Sequence, residues 1–258
     1  WAVQARRWME ATLARDLEDS PTIVHIIQSI VLGSQGETPE EVMELFRYTG
    51  TIHLFSVSGI HVAMLAGIFF FVLQIAGVPR RWLALIVIPL LWAYTFATGL
   101  ASCTIRAAIM GSLMLLGYTL DRPSLAWNAL GASALLILAV DPQQLFRPGF
   151  QLSYLLVIAL LLGTRPLQTA FERLGQPDPF LPRVLWSPAV RFRAWVNHQL
   201  AAAIGVSTAA WFASMPLTVY YFNLFSPASI LANLLASALA WIILALSLAS
   251  TLTGMVFT

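Results

Sequence analysis

"TIHLFSVSGIHVAMLAG", residues 51–67, opens a run apolar enough to cross a bilayer, yet His53 and His61 flank a Ser-Val-Ser-Gly break at 56–59. A membrane helix satisfies its own backbone, so a glycine with Ser56 and Ser58 beside it marks a place to unwind or bend. The groups freed there must be met by protein or water. The stretch therefore predicts a membrane helix together with a polar cavity next to the break at Gly59. Ser58 and His61 are three residues apart and would share a face of a continuing helix. Two readings of the histidines stand at this point. They are satisfied by neighbouring backbone and hold helices together, or they line a hydrated interior.

The surrounding composition carries the same message. Of the 258 residues, 59% are hydrophobic and 10% charged, and the mean hydropathy is +0.77. A soluble domain carries about a quarter charged residues, whereas charge at mid-bilayer costs about 2.5–3.5 kcal/mol on insertion scales. All fourteen basic residues are arginine. Base composition of the genome explains that, and so does a use for guanidinium forks on phosphate. The single cysteine, Cys103, excludes an internal disulfide and a cysteine metal cluster. No cofactor or metal motif is expected. With Trp1 first and an apolar run last, the sequence reads as a domain cut from a longer chain.

Windows of about 20 apolar residues fall at 51–77, 82–100, 102–120, 125–140, 150–163, 199–222 and 227–257. The expected fold is an all-α, polytopic transmembrane bundle of seven segments, with at least one broken helix and short interfacial helices. Residues 1–50 are expected to form amphipathic, interfacial N-terminal helices, and 51–258 the transmembrane domain. Ser20 before Pro21 reads as an N-cap launching a helix to Leu32, and "TPEE" reads as a capping box from Thr38 to Glu41, its helix ending near Gly50. "SPAVRFRAWV" predicts a short helix on the membrane surface, with Ser187 as cap and Pro188 at its first position.

If each window crosses once, Arg80, Arg81, Arg122, Arg165, Arg173, Arg183, Arg191 and Arg193 share one side, against Arg6, Arg7, Arg15, Arg47 and Arg147 on the other. Eight against five assigns the first side to the cytoplasm.

Several polar residues interrupt the apolar windows. Arg106 sits five positions into its window, about 7 Å of helix rise from the end. It either snorkels to the interface or faces a hydrated interior and binds an anion or polar partners. "DPQQLFRPGFQLSYLL", 141–156, reads as a turn started by Asp141 and Pro142, then a helix near Gly149 and Phe150 with Gln151 and Ser153 in its first turn. Asn233 lies inside the last window. None of the windows contains Asp or Glu. Cation channels and proton pumps use such acids at depth, so the interior suits something neutral or anionic.

These residues also form a family pattern. "HLFSVSGIHVAML" resembles the His-Leu-x-x-Val-Ser-Gly-x-His-Val signature of the ComEC competence-protein family. "LGSQGETPEEV", "TIRAAIM", "AVDPQQLFRPGFQLSYL" and "ILANLLA" follow the family's order, so that the resemblance spans residues 25–245. It implies an inner-membrane channel passing single-stranded DNA into the cytoplasm in natural transformation, with DNA-uptake machinery and a cytoplasmic DNA motor as partners. Family members often carry an N-terminal OB-like domain and a C-terminal metallo-β-lactamase-like domain outside the region matched here. No His-x-His-x-Asp-His motif is present, so a nuclease activity is not carried over. On this resemblance the DNA-path candidates are His53, Ser56, Ser58, Gly59, His61, Arg106, Gln151, Ser153 and Asn233, with Asp141, Pro142, Gly149 and Phe150 shaping the chain.

Two rivals are weaker. An intramembrane serine protease would use Ser58 with a histidine base, but residues on one turn rarely give that geometry, and no catalytic residue is assigned. A small-solute transporter also uses broken helices at mid-depth, yet no internal repeat is visible.

Overall fold

A computed structural model describes residues 2–14, 21–33, 40–51, 53, 58–121, 126–175 and 186–257, and among these every regular element is helical. The helices are α1 (Ala2–Ala14), α2 (Pro21–Leu32), α3 (Glu40–Tyr48), α4 (Gly59–Ile75), α5 (Arg80–Ala97), α6 (Ser102–Thr119), α7 (Ala126–Val140), α8 (Pro148–Leu174), α9 (Pro188–Phe222) and α10 (Ser229–Phe257). A 3₁₀ turn, Pro142–Phe146, precedes α8. An all-α helical membrane bundle is therefore the fold class.

The seven apolar windows coincide with α4 to α10, but their lengths differ from expectation. Four helices, α5, α8, α9 and α10, are long and apolar enough to cross a membrane. The apolar helices α2, α4 and α7 are shorter. In α6 the polar residues around Arg106 dilute an otherwise apolar helix of 18 residues. The break expected at Gly59 is a helix start, because α4 begins there with Ser58 in extended backbone (φ −98°, ψ 164°). Window 150–163 belongs to a 27-residue helix that runs through Pro166. The separate surface helix expected at Pro188 is the N-terminal part of α9, whose 35 residues span about 52 Å at 1.5 Å per residue. That exceeds the hydrocarbon thickness of about 30 Å, so the arginine-bearing end can stand outside it.

End signals were read more directly. Ser187 Oγ accepts from Val190 N–H at 3.4 Å, with Pro188 next, and Gly50, just past α3, takes φ +72°, the left-handed backbone glycine tolerates best. Ser20 and Thr38 lie outside the described residues.

The chain divides into two compact units, residues 1–150 with 236–258, and residues 151–235. In the first, Val62 and Leu65 of α4 pack with Val87, Leu91 and Tyr94 of α5. A second cluster joins Leu13 of α1, Val31 and Leu32 of α2, Met64 of α4 and Leu244 of α10. Tyr94 donates its hydroxyl proton to the Val31 carbonyl at 2.8 Å across this core. The buried hydroxyls of Thr95, Thr104 and Ser133 return to carbonyls of their own chain at Leu91, Ala101 and Leu130, each at 2.8 Å. Apolar packing can then close over them without an unmet donor.

In the second unit α9 meets α8 through small side chains. Ala201, Gly205, Ala209 and Ala213 recur every fourth residue and all are buried. A Cβ on Gly163 would stand 3.3 Å from that of Ala209, and one on Gly205 only 3.0 Å from the Gln168 backbone nitrogen. Lipid tails are as apolar as leucine, so helices in a bilayer gain from such backbone approach.

Candidate functional site

The polar residues of the first unit gather where three helices begin. At the start of α4, the Ser58 backbone N–H donates to His61 Nδ1 at 3.0 Å. A histidine thus takes the part usually played by Glu or Gln at the third position of a capping box. With Nδ1 accepting, a neutral His61 carries its proton on Nε2. The ring is fully buried, and Nε2 has no hydrogen-bond partner among the described residues. His53 is exposed. Ser56 lies outside the described residues.

The Ser58 hydroxyl stands 3.4 Å from the same Nδ1. Since that nitrogen already receives the backbone proton, the pair has the geometry of a helix cap and lacks that of a nucleophile and its base.

Gly59 lets α4 approach α6, where a Cβ would touch that of Ala107 at 3.4 Å. The neighbouring Arg106 is only 4% exposed. The guanidinium is thus packed among helices and does not reach the surface of the chain. Its Nη2 reaches within 3.7 Å of the point where a side chain on Gly149 would begin, at the start of α8. The starts of α4 and α8 therefore both lie against the N-terminal part of α6, α4 at Ala107 and α8 at the buried Arg106. Each helix N-terminus carries about half a positive charge and unpaired N–H groups, so the field at this end attracts anions.

The turn leading into α8 is built as its sequence implies. Asp141 accepts from the Gln143 N–H at 3.1 Å and the Gln144 side-chain amide at 2.9 Å, and Arg147 lies 3.8 Å from it. Pro142 takes the first position of the 3₁₀ turn, and Phe150 is buried. The carboxylate of Asp141 is thus engaged by its own turn. Glu10, another acid of this unit, pairs with Arg6 at 3.0 Å.

Gln151, Ser153 and Asn233 belong to the second unit. Gln151 Oε1 accepts from the Tyr221 hydroxyl at 2.9 Å. Ser153 is half-buried in α8, and Asn233 Oδ1 is buried in α10 without a partner among the described residues. Tyr221, Tyr94 and Thr104 were not singled out from sequence. Tyr94 and Thr104 sit inside apolar runs, and the partner of Tyr221 is 70 residues away. A cation–π contact, Arg80 over the Tyr118 ring at 3.8 Å, with Arg80 also 2.7 Å from the Asp121 carboxylate, ties the start of α5 to the end of α6.

The cap makes a prediction. His61→Ala leaves the Ser58 N–H unmet and should lower stability by about 1–2 kcal/mol, whereas His61→Gln keeps an acceptor at that position and should recover most of it. Thermal unfolding of the purified protein in detergent measures both. Equal losses in the two variants would show that the ring's bulk matters and its Nδ1 does not.

Comparison with known proteins now bears on the pattern. Over 216 residues the chain is 27% identical to ComE operon protein 3 of Bacillus subtilis (strain 168), covering 83% of this chain and 24% of that protein. It is 26% identical over 165 residues to Competence protein ComA of Neisseria gonorrhoeae, covering 61% and 23%. An uncharacterized protein of Escherichia coli (strain K12), YcaI, is 27% identical over 223 residues, covering 82% and 26%. The chain thus spans about a quarter of the length of the curated relatives it matches. No solved structure matches. The Competence protein family model matches residues 30–258, from the end of α2 through α10, and the chain belongs to that family.

Proposed function

We propose that this chain is the membrane part of a DNA-uptake protein, forming an inner-membrane conduit through which single-stranded DNA reaches the cytoplasm. The observation that supports it best is the buried Arg106 of α6 at the start of α8, with the start of α4 against the neighbouring Ala107. Phosphodiesters passing a membrane need a polar route without unengaged acids, and fixed positive dipoles serve phosphate without binding it as tightly as a row of cations. Names borne by the relatives, ComE operon protein 3 and Competence protein ComA, agree with that use.

On this reading the arginine-rich ends at Arg80, Arg81, Arg173, Arg191 and Arg193 face the cytoplasm. The rest of the parent chain and a cytoplasmic DNA motor complete the apparatus. On the same reading the chain moves its cargo and no catalytic role is assigned to Ser58 or His61, which serve as a cap.

The test is uptake of labelled DNA by the source cell after added nuclease removes whatever stays outside. Deletion of the parent gene should abolish the protected cytoplasmic signal, and its restoration should return it. Undiminished import after deletion, in cells shown to be competent, would refute the proposal and favour transport of a small neutral or anionic solute.

A further inference from the structure

We propose that the cleft between the C-terminal end of α8 and the N-terminal part of α9 holds an anionic phospholipid, with Arg193 on its phosphate. The cleft has a volume of about 430 Å³ and is lined by Leu174, Gly175, Arg193, Val196, Asn197 and Leu200. Its chemistry is divided. Leu174, Val196 and Leu200 offer an apolar wall, and one exposed guanidinium with an amide supplies the polar end. That division fits a molecule with one phosphate and a hydrocarbon tail. A free phosphate has no use for the wall.

The cleft is built by close fits. Asn197 donates its amide to the Glu172 carbonyl at 3.0 Å. Its side chain fills the space where a Cβ on Gly175 would stand. The carboxylate of Glu172 is 2.7 Å from His198 Nδ1 and 2.8 Å from the Gln168 amide, which it accepts. The one acid of this end among the described residues is therefore turned to its own partners, while Arg165, Arg173, Arg191 and Arg193 give the end a positive excess.

Position favours lipid over other anions. α9 is about 20 Å longer than the hydrocarbon layer, and its polar N-terminal turns carry Phe192 and Trp195, exposed and stacked at 6.2 Å. Exposed tryptophan and arginine together mark the headgroup level of a bilayer. A phosphate beside Arg193 would sit at that level, with its chain running toward the spanning part of α9 along Val196 and Leu200. The inference does not depend on what the protein transports.

Native mass spectrometry of the purified parent protein in detergent tests it, with phosphatidylglycerol and phosphatidylcholine of equal chain length as probes. Both lipids carry a phosphate, but the choline cation of phosphatidylcholine opposes Arg193, so phosphatidylglycerol should bind about 10-fold tighter, a difference of about 1.4 kcal/mol. Arg193→Gln should remove that preference, Arg193→Lys should keep part of it, and Arg81→Gln should leave it unchanged. Equal binding of the two lipids, or an undiminished preference in Arg193→Gln, would overturn the proposal. Displacement of phosphatidylglycerol by inorganic phosphate at similar concentration would also overturn it, by showing that the apolar wall is unused. Stronger displacement by a short single-stranded oligonucleotide would reassign the cleft to nucleic acid.

Discussion

Arg106→Ala should cut nuclease-protected DNA uptake by about 10- to 100-fold in cells that carry normal amounts of the variant in the membrane. The estimate follows from one charge-assisted contact worth about 1.5–3 kcal/mol, with each 1.4 kcal/mol a factor of ten. A larger loss is not expected, because the N-termini of α4, α6 and α8 keep their dipoles when the guanidinium is gone. Arg106→Lys separates shape from charge. Lysine keeps the cation and loses the planar fork, so uptake should fall between wild type and Arg106→Ala. If Arg106→Ala is abundant and imports fully, the guanidinium holds helices together and DNA passes elsewhere. The Gly149→Leu variant approaches the same point from the other side. Its side chain would enter the space now reached by Arg106 Nη2 and should lower uptake with the cation still present.

Much of this arrangement was legible in the sequence where one residue type has one physical use. Proline at 21, 142 and 188 started helical turns, and Gly50 closed one, since these residues restrict or free the backbone locally. The apolar windows located α4 to α10. Their lengths were misjudged wherever polar residues lie within a continuing helix, as with Arg165 in α8 and the Arg191–His198 stretch of α9. Hydropathy measures what solvent a segment prefers. Helix continuity is set by backbone hydrogen bonds, which Arg and His do not break.

The site was legible in its members and hidden in its geometry. Ser58 and His61 were correctly placed three apart, but the sequence reading put them on one face of a bent helix. The structure makes His61 the cap of a new one, because Nδ1 can accept the N–H that a helix start leaves over. That Arg106 meets Gly149 could not be read from spacing. Contacts between residues more than forty apart depend on which helices pack, and no local pattern records it.

Gly205→Leu should cost about 3 kcal/mol or more and lower the thermal midpoint in detergent by roughly 6–12 °C, on the usual relation for chains of this size. At 3.0 Å from the Gln168 nitrogen and 3.3 Å from its Cα, a Cβ at 205 presses on backbone at each contact. No side-chain rotation relieves that contact, and the carbons leucine carries beyond its Cβ find no room between two helices this close, so α8 and α9 must move apart. Gly205→Ala needs a shift of only a few tenths of an ångström and should lose much less. Ala209→Gly is the control in the opposite direction. It faces Gly163 in the same stripe, leaves room instead of taking it, and should cost about 1 kcal/mol through helix propensity alone. Separation of α8 and α9 would leave the spanning turns of α9 exposed along a backbone groove, and lipid tails fill such a groove less well than the facing helix does. A midpoint for Gly205→Leu within 2 °C of wild type would mean that the two helices are held by their ends, through Asn197 and Glu172, and that the small-residue stripe between them contributes little.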